Sequence, residues 1–393
     1  MRVLILCGGF PPEYDAQSIQ THKLAVSLAR QGHRLTVVTL LDTEPPPQCT
    51  YKLVPVRRKP LIAAGATRLS QIAARASAQV TGPLFILDKV SLAREAERVI
   101  NESGIDRVIS ISSPFDPHVA ALQIKTKHHS LKWTAFFSDP WPVQLLPSPL
   151  NRRTIPIGKR FNRKVLGAII SETDKVLYTN GETLDLTAAF LKRPLDHGGV
   201  AEHFANEEWR MPSDASLVET AARSVVHVGT FTRSRFTPAL AEALIQCDAA
   251  GIPFLFVGYV CRELLSFASE KKLRHVRYHS VVPPAEAQYL ITVARLNLVA
   301  EARMAYTPFT PSKIFDILAS SRNVLAVTAH NSPLARIVVQ ALGQAAVVNH
   351  SGPAIAGAIR EGYSRGCVGT LAGSEGELPS SITRNDAIAR TFL

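Results

Sequence analysis

The sequence predicts an α/β protein made of two doubly wound, Rossmann-like domains. Three observations carry that expectation. Short, continuous apolar runs recur along the chain, as strands buried on both faces of a parallel sheet require. Helical stretches with apolar stripes separate them, which gives a β-α-β rhythm. The rhythm halts once, in "LKRPLDHGGVAEHF" (191–204), and then begins afresh.

The elements follow in order. "RVLILC" (2–7) is the first strand. A turn leads into "SIQTHKLAVSLARQG", where Leu24, Ala25, Leu28 and Ala29 form a stripe and Gly32 supplies the stop. "HRLTVVTL" (33–40) completes the first β-α-β unit, and "DRVISIS" (106–112), "KWTAFF" (132–137) and "KVLYT" (175–179) extend it. The second half offers "SVVHVG", "FLFVGY", "VRYHSVV", "LNLVAE", "NVLAV" and "QAAVVN". The expected domains are 1–195 and 196–380, with a helix at 381–393 packing back on the first and residues 191–204, around Gly198-Gly199, serving as a hinge. Open α/β sheets bind ligands beyond the carboxyl ends of their strands. Two such sheets are therefore expected to face a cleft, each contributing one substrate.

Composition narrows the function. At 46% hydrophobic and 19% charged residues, the 393-residue chain buries real cores. No apolar run approaches the roughly 18 residues of a membrane-spanning helix. The N-terminal run breaks at Gly8-Gly9 without a cleavage site and reads as a strand, not a leader. Five scattered cysteines without C-x-x-C spacing suit a reduced, cytoplasmic protein without structural zinc. The net charge of +12 is uneven: residues 1–200 hold 26 Lys/Arg against 16 Asp/Glu, and the rest is nearly balanced. A basic half points to an anionic neighbour or simply to a soluble surface. Nucleic acid is disfavoured, because the basic residues lack interleaved aromatics or a known module. An anionic membrane face is expected at Arg57-Arg58-Lys59 and at "NRRTIPIGKRFNRK" (151–164), where Ile155, Ile157 and Phe161 are interspersed.

Candidate chemistry gathers at strand ends. "HVGTFTRSRF" (227–236) places Gly229 after a strand and Arg233 and Arg235 before a helix, the layout of a phosphate cradle. "PSKIFDILASSRNVLAV" (311–327) starts a helix at Pro311-Ser312 with Lys313, where the helix dipole disfavours a cation by roughly 0.3–1 kcal/mol. A shared diphosphate would satisfy Lys313 and the arginines together. Asp316, one turn on, is either a dipole-favoured acid or a carboxylate for sugar hydroxyls. Glu301 ends "LNLVAE" at a carboxyl edge and faces the cleft or forms a rim salt bridge. In the first half, Gly8-Gly9 allow close backbone approach to a phosphate or make an ordinary turn. Asp139 of "FFSDPW" stands at a strand end. Asp116-Pro117 looks like an N-cap and first helical residue, and His118 after it reaches the cleft or, more simply, is solvated. There is no D-x-D triplet, H-E-x-x-H, G-x-G-x-x-G or G-x-x-x-x-G-K-[ST], so basic side chains are expected to neutralise any diphosphate in place of a metal.

Taken together, "FPPE", "LAVSLARQGHRLTVVT", "SSPFDPHVAAL", "FFSDPW", "HVGTFTRSRFTPALAEAL", "FVGY" and "PSKIFDILASSRNVLAV" resemble the family-4 retaining glycosyltransferases of the GT-B type, especially bacterial members that build exopolysaccharide or O-antigen. The resemblance runs nearly end to end. It implies a GT-B fold and transfer, with retention of configuration, of a sugar from a nucleotide-diphosphate donor to a carbohydrate or lipid-linked acceptor. From the missing metal motifs no metal or other cofactor is expected, and from the basic first half a cytoplasmic place at or near the inner membrane face. Arg235 and Lys313 become diphosphate ligands and catalytic residues, Asp316 the ribose acid, and Gly8-Gly9 a close approach to the donor. Asp139 faces acceptor or donor sugar and is the third catalytic candidate. By their positions at strand ends and helix starts, His118 is expected on the acceptor side, and Gly229, Arg233, Ser312 and Glu301 at the donor. The chain departs from the pattern at Asp316, where a glutamate is usual, and at Pro308, where many members carry another. "SSRNV" replaces a small-residue–glycine pair, and "GGVA" replaces "NGVD". These departures motivate two other readings: a catalytically silent GT-B binding or scaffold protein, and a sugar-nucleotide epimerase.

Overall fold

A computed structural model describes residues 1–12, 15–41, 51–57, 86–112, 115–148, 156–320, 323–366 and 375–393. Arg58, Lys59, 151–155, Glu13, Ser113-Pro114 and Ser321-Arg322, which the sequence reading invoked, lie outside the described residues. The chain divides into two compact units, Met1–His203 with Arg384–Leu393, and Phe204–Thr383.

The first unit is built on a seven-stranded parallel sheet. Its strands are β1 (Arg2–Cys7), β2 (Arg34–Leu40), β3 (Lys52–Val56), β4 (Arg107–Ser112), β5 (Lys132–Phe137), β6 (Lys175–Tyr178) and β7 (Gly198–Val200). Its helices are α1 (Ala16–Arg30), α2 (Ile86–Ser103), α3 (Asp116–Lys125), α4 (Pro156–Glu172) and α5 (Gly181–Leu191). The strand order is β3-β2-β1-β4-β5-β6-β7. It reverses direction between β1 and β4, the switch point at which such sheets bind ligands. Every residue of β1 after Arg2 is buried, which its unbroken apolar run demands. Asp15 caps α1 by accepting the Ser18 N–H, and Gly32 ends it at φ +82°, where a side chain is disfavoured.

Within the expected hinge segment, the Gly198-Gly199 pair belongs to a strand. It forms edge strand β7, paired with β6, so the chain leaves the first unit only after His203. A Cβ on Gly198 would stand 3.0 Å from both Leu184 Cδ1 and the Leu195 carbonyl oxygen. These glycines permit close packing.

The second unit carries β8 (Glu208–Arg210), α6 (Ala215–Ala222), β9 (Val225–Val228), α7 (Pro238–Ala249), β10 (Phe254–Val257), α8 (Arg262–Glu270), β11 (Val276–His279) and α9 (Pro284–Val293). There follow β12 (Leu296–Ala300), α10 (Lys313–Ser320), β13 (Val324–Val327), α11 (Pro333–Leu342), β14 (Val347–Val348), α12 (Gly352–Arg365) and β15 (Glu375–Glu377). The main sheet is parallel, ordered β11-β10-β9-β12-β13-β14, and β15 pairs antiparallel with β8. Its switch point lies between β9 and β12. The last helix, α13 (Pro379–Arg390), takes the chain back to the first unit. There Asp386 pairs with Arg30, and the Phe392 carbonyl accepts from the Thr134 hydroxyl at 2.9 Å. Among the described residues, no helix is long and apolar enough to cross a membrane.

Candidate functional site

β9 runs into Gly229 at φ +100°, a left-handed backbone that favours glycine. The absent side chain has a second use. A Cβ there would stand 3.3 Å from Lys313 Nζ, so glycine leaves room for the amine. The loop then makes a short 3-10 turn over Arg233–Arg235 before α7, which Thr237 caps by accepting the Leu240 N–H. The half-buried Arg235 bends back and donates to the Thr230 carbonyl at 2.5 Å. Arg233 does not join it. Its side chain is exposed and pairs with Glu263 at 3.4 Å.

Lys313 opens α10, directly after Ser312. Ile314, Phe315 and Ile317 anchor that helix in the core, while half-buried Lys313 reaches β9. Its Nζ lies 3.0 Å from His227 Nε2. The other ring nitrogen, Nδ1, is 2.9 Å from the Leu298 carbonyl, which can only accept. Nδ1 can donate to that carbonyl, and the Thr230 carbonyl is a second backbone acceptor for the ring. Burial, followed by the nearby Lys313 and Arg235 cations, holds the imidazole well below its usual range. The amine is likewise pushed well below the lysine range by desolvation first and Arg235 second, with Asp316 acting in the opposite sense.

Glu301 follows β12, across the switch point from Gly229, and is buried. Its two oxygens accept from the Thr307 hydroxyl at 3.2 Å and from the Thr328 hydroxyl. Burial pushes its carboxyl up to about 7, although both threonines and Arg235 work against that rise. Asp316, half-buried in the first turn of α10, accepts the Asn206 backbone N–H at 2.7 Å through Oδ1. Asn206 in turn donates to Gln288 Oε1, so this carboxylate also fastens the chain segment before β8.

In the first unit, Gly8 and Gly9 are buried immediately after β1, at the switch point. Asp139 is exposed just beyond β5. The neighbouring Trp141 stacks on Phe115 with ring centroids 3.5 Å apart. His118 is neither solvated nor at a surface. It lies fully buried between Ser110 Oγ, 2.7 Å from Nδ1, and the stacked ring of Phe137. Burial pushes it down to about 3, which leaves the imidazole neutral. Asp116 is also buried and begins α3 without capping it.

Gly229, Arg235, Lys313 and Glu301 thus come together around one switch point, with Asp316 beside Lys313. His227 belongs to the same cluster, and sequence reasoning passed over it. The signal was there: one polar residue in the middle of the apolar strand "SVVHVG".

No family model matches the sequence, and no curated protein matches it. Solved structures do. The chain is similar to a glycosyltransferase from Rickettsia africae, with a TM-score of 0.58 at 12% identity, over 99% of this chain and 92% of that one. It is similar to HepE from Anabaena, solved with UDP and glucose, with a TM-score of 0.56 at 11% identity over 100% and 95%. An α,α-trehalose-phosphate synthase (UDP-forming) from Burkholderia xenovorans gives a TM-score of 0.62 at 11% identity over 100% and 97%. The fold is that of the GT-B glycosyltransferases. At these identities the likeness is one of fold.

Proposed function

We propose that the protein is a glycosyltransferase that takes a nucleoside-diphosphate sugar at the second unit and passes the sugar to a carbohydrate or lipid-linked acceptor. One observation carries the reading. Two basic side chains from separate strand-to-helix connections, Arg235 and Lys313, act on each other beside a glycine that makes room for the lysine amine. That is a site for a leaving diphosphate, whose developing charge they stabilise in the transition state. The solved neighbours that hold UDP support a nucleotide-sugar donor. Asp316 is assigned to the ribose, Gly8, Gly9, Gly229 and Ser312 to donor approach, and Asp139 and His118 to the sugar and acceptor side, His118 acting from beneath the surface. Retention of configuration and a place in bacterial polysaccharide assembly follow from the sequence resemblance. Incubation with a panel of nucleotide sugars, with and without acceptor glycans, tests it by release of nucleoside diphosphate.

Pro308 favours a second reading, a silent binding protein. That protein would give no turnover with any donor, and an epimerase would convert donor without acceptor. We also propose that α4 meets an anionic membrane, since Lys159, Arg160 and Lys164 are exposed together with Phe161. Flotation with anionic vesicles at low salt, and its loss at high salt, is the expected result. A protein that stays in the soluble fraction at low salt removes this part.

A further inference from the structure

His227 is the group in the cluster that the donor reading leaves without a task. It sits in an inner strand of a parallel sheet, otherwise made of valine, and is 2% exposed. A buried polar side chain in such a place needs a partner for each of its polar atoms. Its two close contacts are the Leu298 carbonyl, 2.9 Å from Nδ1, and Lys313 Nζ, 3.0 Å from Nε2. A proton on Nδ1 serves the carbonyl and leaves the Nε2 lone pair for the amine. A proton on Nε2 would turn the Nδ1 lone pair against an oxygen that can only accept. The first arrangement satisfies both contacts. The Thr230 carbonyl, the ring's second backbone acceptor, already receives Arg235. Phe231, edge-on at 4.9 Å between centroids, and Phe256, at 6.0 Å, confine the ring to one orientation.

The same strand prepares the space around the amine. Gly229 stands two residues on, on the same side of the chain, and a Cβ there would lie 3.3 Å from Nζ and 3.6 Å from Cε. Lys313 therefore ends over an acceptor at 227 and a gap at 229. What holds it matters, because an ammonium has three N–H donors and one charge. Burial and the neighbouring Arg235 both work against that charge. Asp316 works for it from one turn along α10, but its Oδ1 is engaged by the Asn206 N–H. A carboxylate in the place of His227 would fix the amine and also cancel its charge toward an anionic ligand. An imidazole fixes it and leaves the charge to the ligand.

We propose that His227 is a positioning residue: its neutral ring accepts one N–H of the Lys313 ammonium and so aims the other two at the diphosphate of a nucleotide donor. No proton is transferred and no covalent bond changes. This inference rests on the donor-site reading above. It goes beyond that reading by naming the group that places the charge.

Two amides of different length separate this role from a structural one. His227→Gln carries a carbonyl oxygen near the place of Nε2, whereas the shorter His227→Asn reaches the Leu298 carbonyl but not the amine. Calorimetry of UDP, GDP, ADP, CDP and dTDP binding to the full chain reads the difference. His227→Asn should weaken binding about tenfold, the loss expected for one hydrogen bond to a charged group, and His227→Gln should stay within about threefold of the wild type. In a Lys313→Ala background, His227→Asn should change binding by less than about twofold, because its effect passes through the lysine. Nitrogen NMR of the wild-type imidazole, assigned by the signals lost in His227→Gln, should show the proton on Nδ1. Four results overturn the inference and leave the donor site standing: wild-type affinity in His227→Asn, equal losses in the two amides, a loss that persists without Lys313, or a proton on Nε2. Failure to bind any of these nucleotides, or undiminished binding by Lys313→Ala, overturns the donor-site reading and this inference with it.

Discussion

Replacing Glu301 by glutamine removes an ionisation that the fold opposes. The side chain is 4% exposed, and its carboxyl is pushed from an ordinary 4.5 up to about 7. A raised value means that the folded protein holds the proton more tightly than the unfolded chain does. The group's contribution to stability is therefore fully present below pH 4.5 and is lost as pH rises through about 7. At roughly 1.4 kcal/mol per pH unit, the interval amounts to about 3 kcal/mol. Glutamine has the shape of the protonated acid. Its oxygen accepts from one threonine, and its amide donates to the other hydroxyl, which can accept. Glu301→Gln should thus exceed the wild type by less than about 1 kcal/mol near pH 5 and by about 3 kcal/mol near pH 8. Urea unfolding at the two pH values measures the gap. A gap that does not change with pH, or a variant less stable at both, refutes the reasoning.

Three further outcomes follow from the same cluster. Lys313→Ala should lower sugar transfer by about 10²–10³-fold, the usual loss when one donor to a developing negative charge is removed, read from nucleoside-diphosphate release. Gly229→Ala should lose transfer and about 1–2 kcal/mol of stability, because alanine must take the left-handed backbone that a Cβ disfavours and crowds the lysine amine; activity and thermal unfolding together report it. Asp316→Ala should weaken nucleotide binding and also cost about 1–3 kcal/mol, since the Asn206 N–H loses its acceptor, whereas Asp316→Asn keeps an oxygen there and should recover most of the stability in thermal melts.

Strands such as β1 and β5 were legible because burial on both faces leaves an unbroken apolar run, visible without any knowledge of neighbours. β3 was not: "KLVPV" carries a proline and is only partly buried, so its pattern is that of a turn-rich segment. β7 is largely glycine, and its pairing depends on the neighbouring strand and the packing of Leu184 and Leu195, which no local pattern records. In the site, Gly229, Arg235, Lys313 and Glu301 were legible from position alone, because each stands just past a strand or at a helix start. Arg233 satisfied the same rule and was drawn off by Glu263, a partner set by tertiary packing. His118 was misjudged because α3 is buried nearly all round from Asp116 to Ala121, so periodicity could not show an inward face. His227 was missed for a related reason: the lysine that gives it meaning is far along the chain. Its presence also explains how Lys313 tolerates a helix start, since the amine leaves the helix end and donates to an imidazole.

The segment that closes the first unit is made after the second unit. Phe392, fully buried, meets Phe136 edge-to-face at 5.1 Å, and the carbonyls of Thr391 and Phe392 accept from Lys175 and Thr134. On the ribosome, β5 and β6 emerge long before these partners, and the whole of Phe204–Thr383 is synthesised in between. Until then Phe136 and the Thr134 hydroxyl of the first sheet lack the contacts that Phe392 gives them. Its final closure joins ends separated by an entire folded unit, a long loop whose entropic cost grows only slowly with length. Domain-by-domain folding during translation is the common order for large chains, and here the first unit gains these last contacts only after the second has been made.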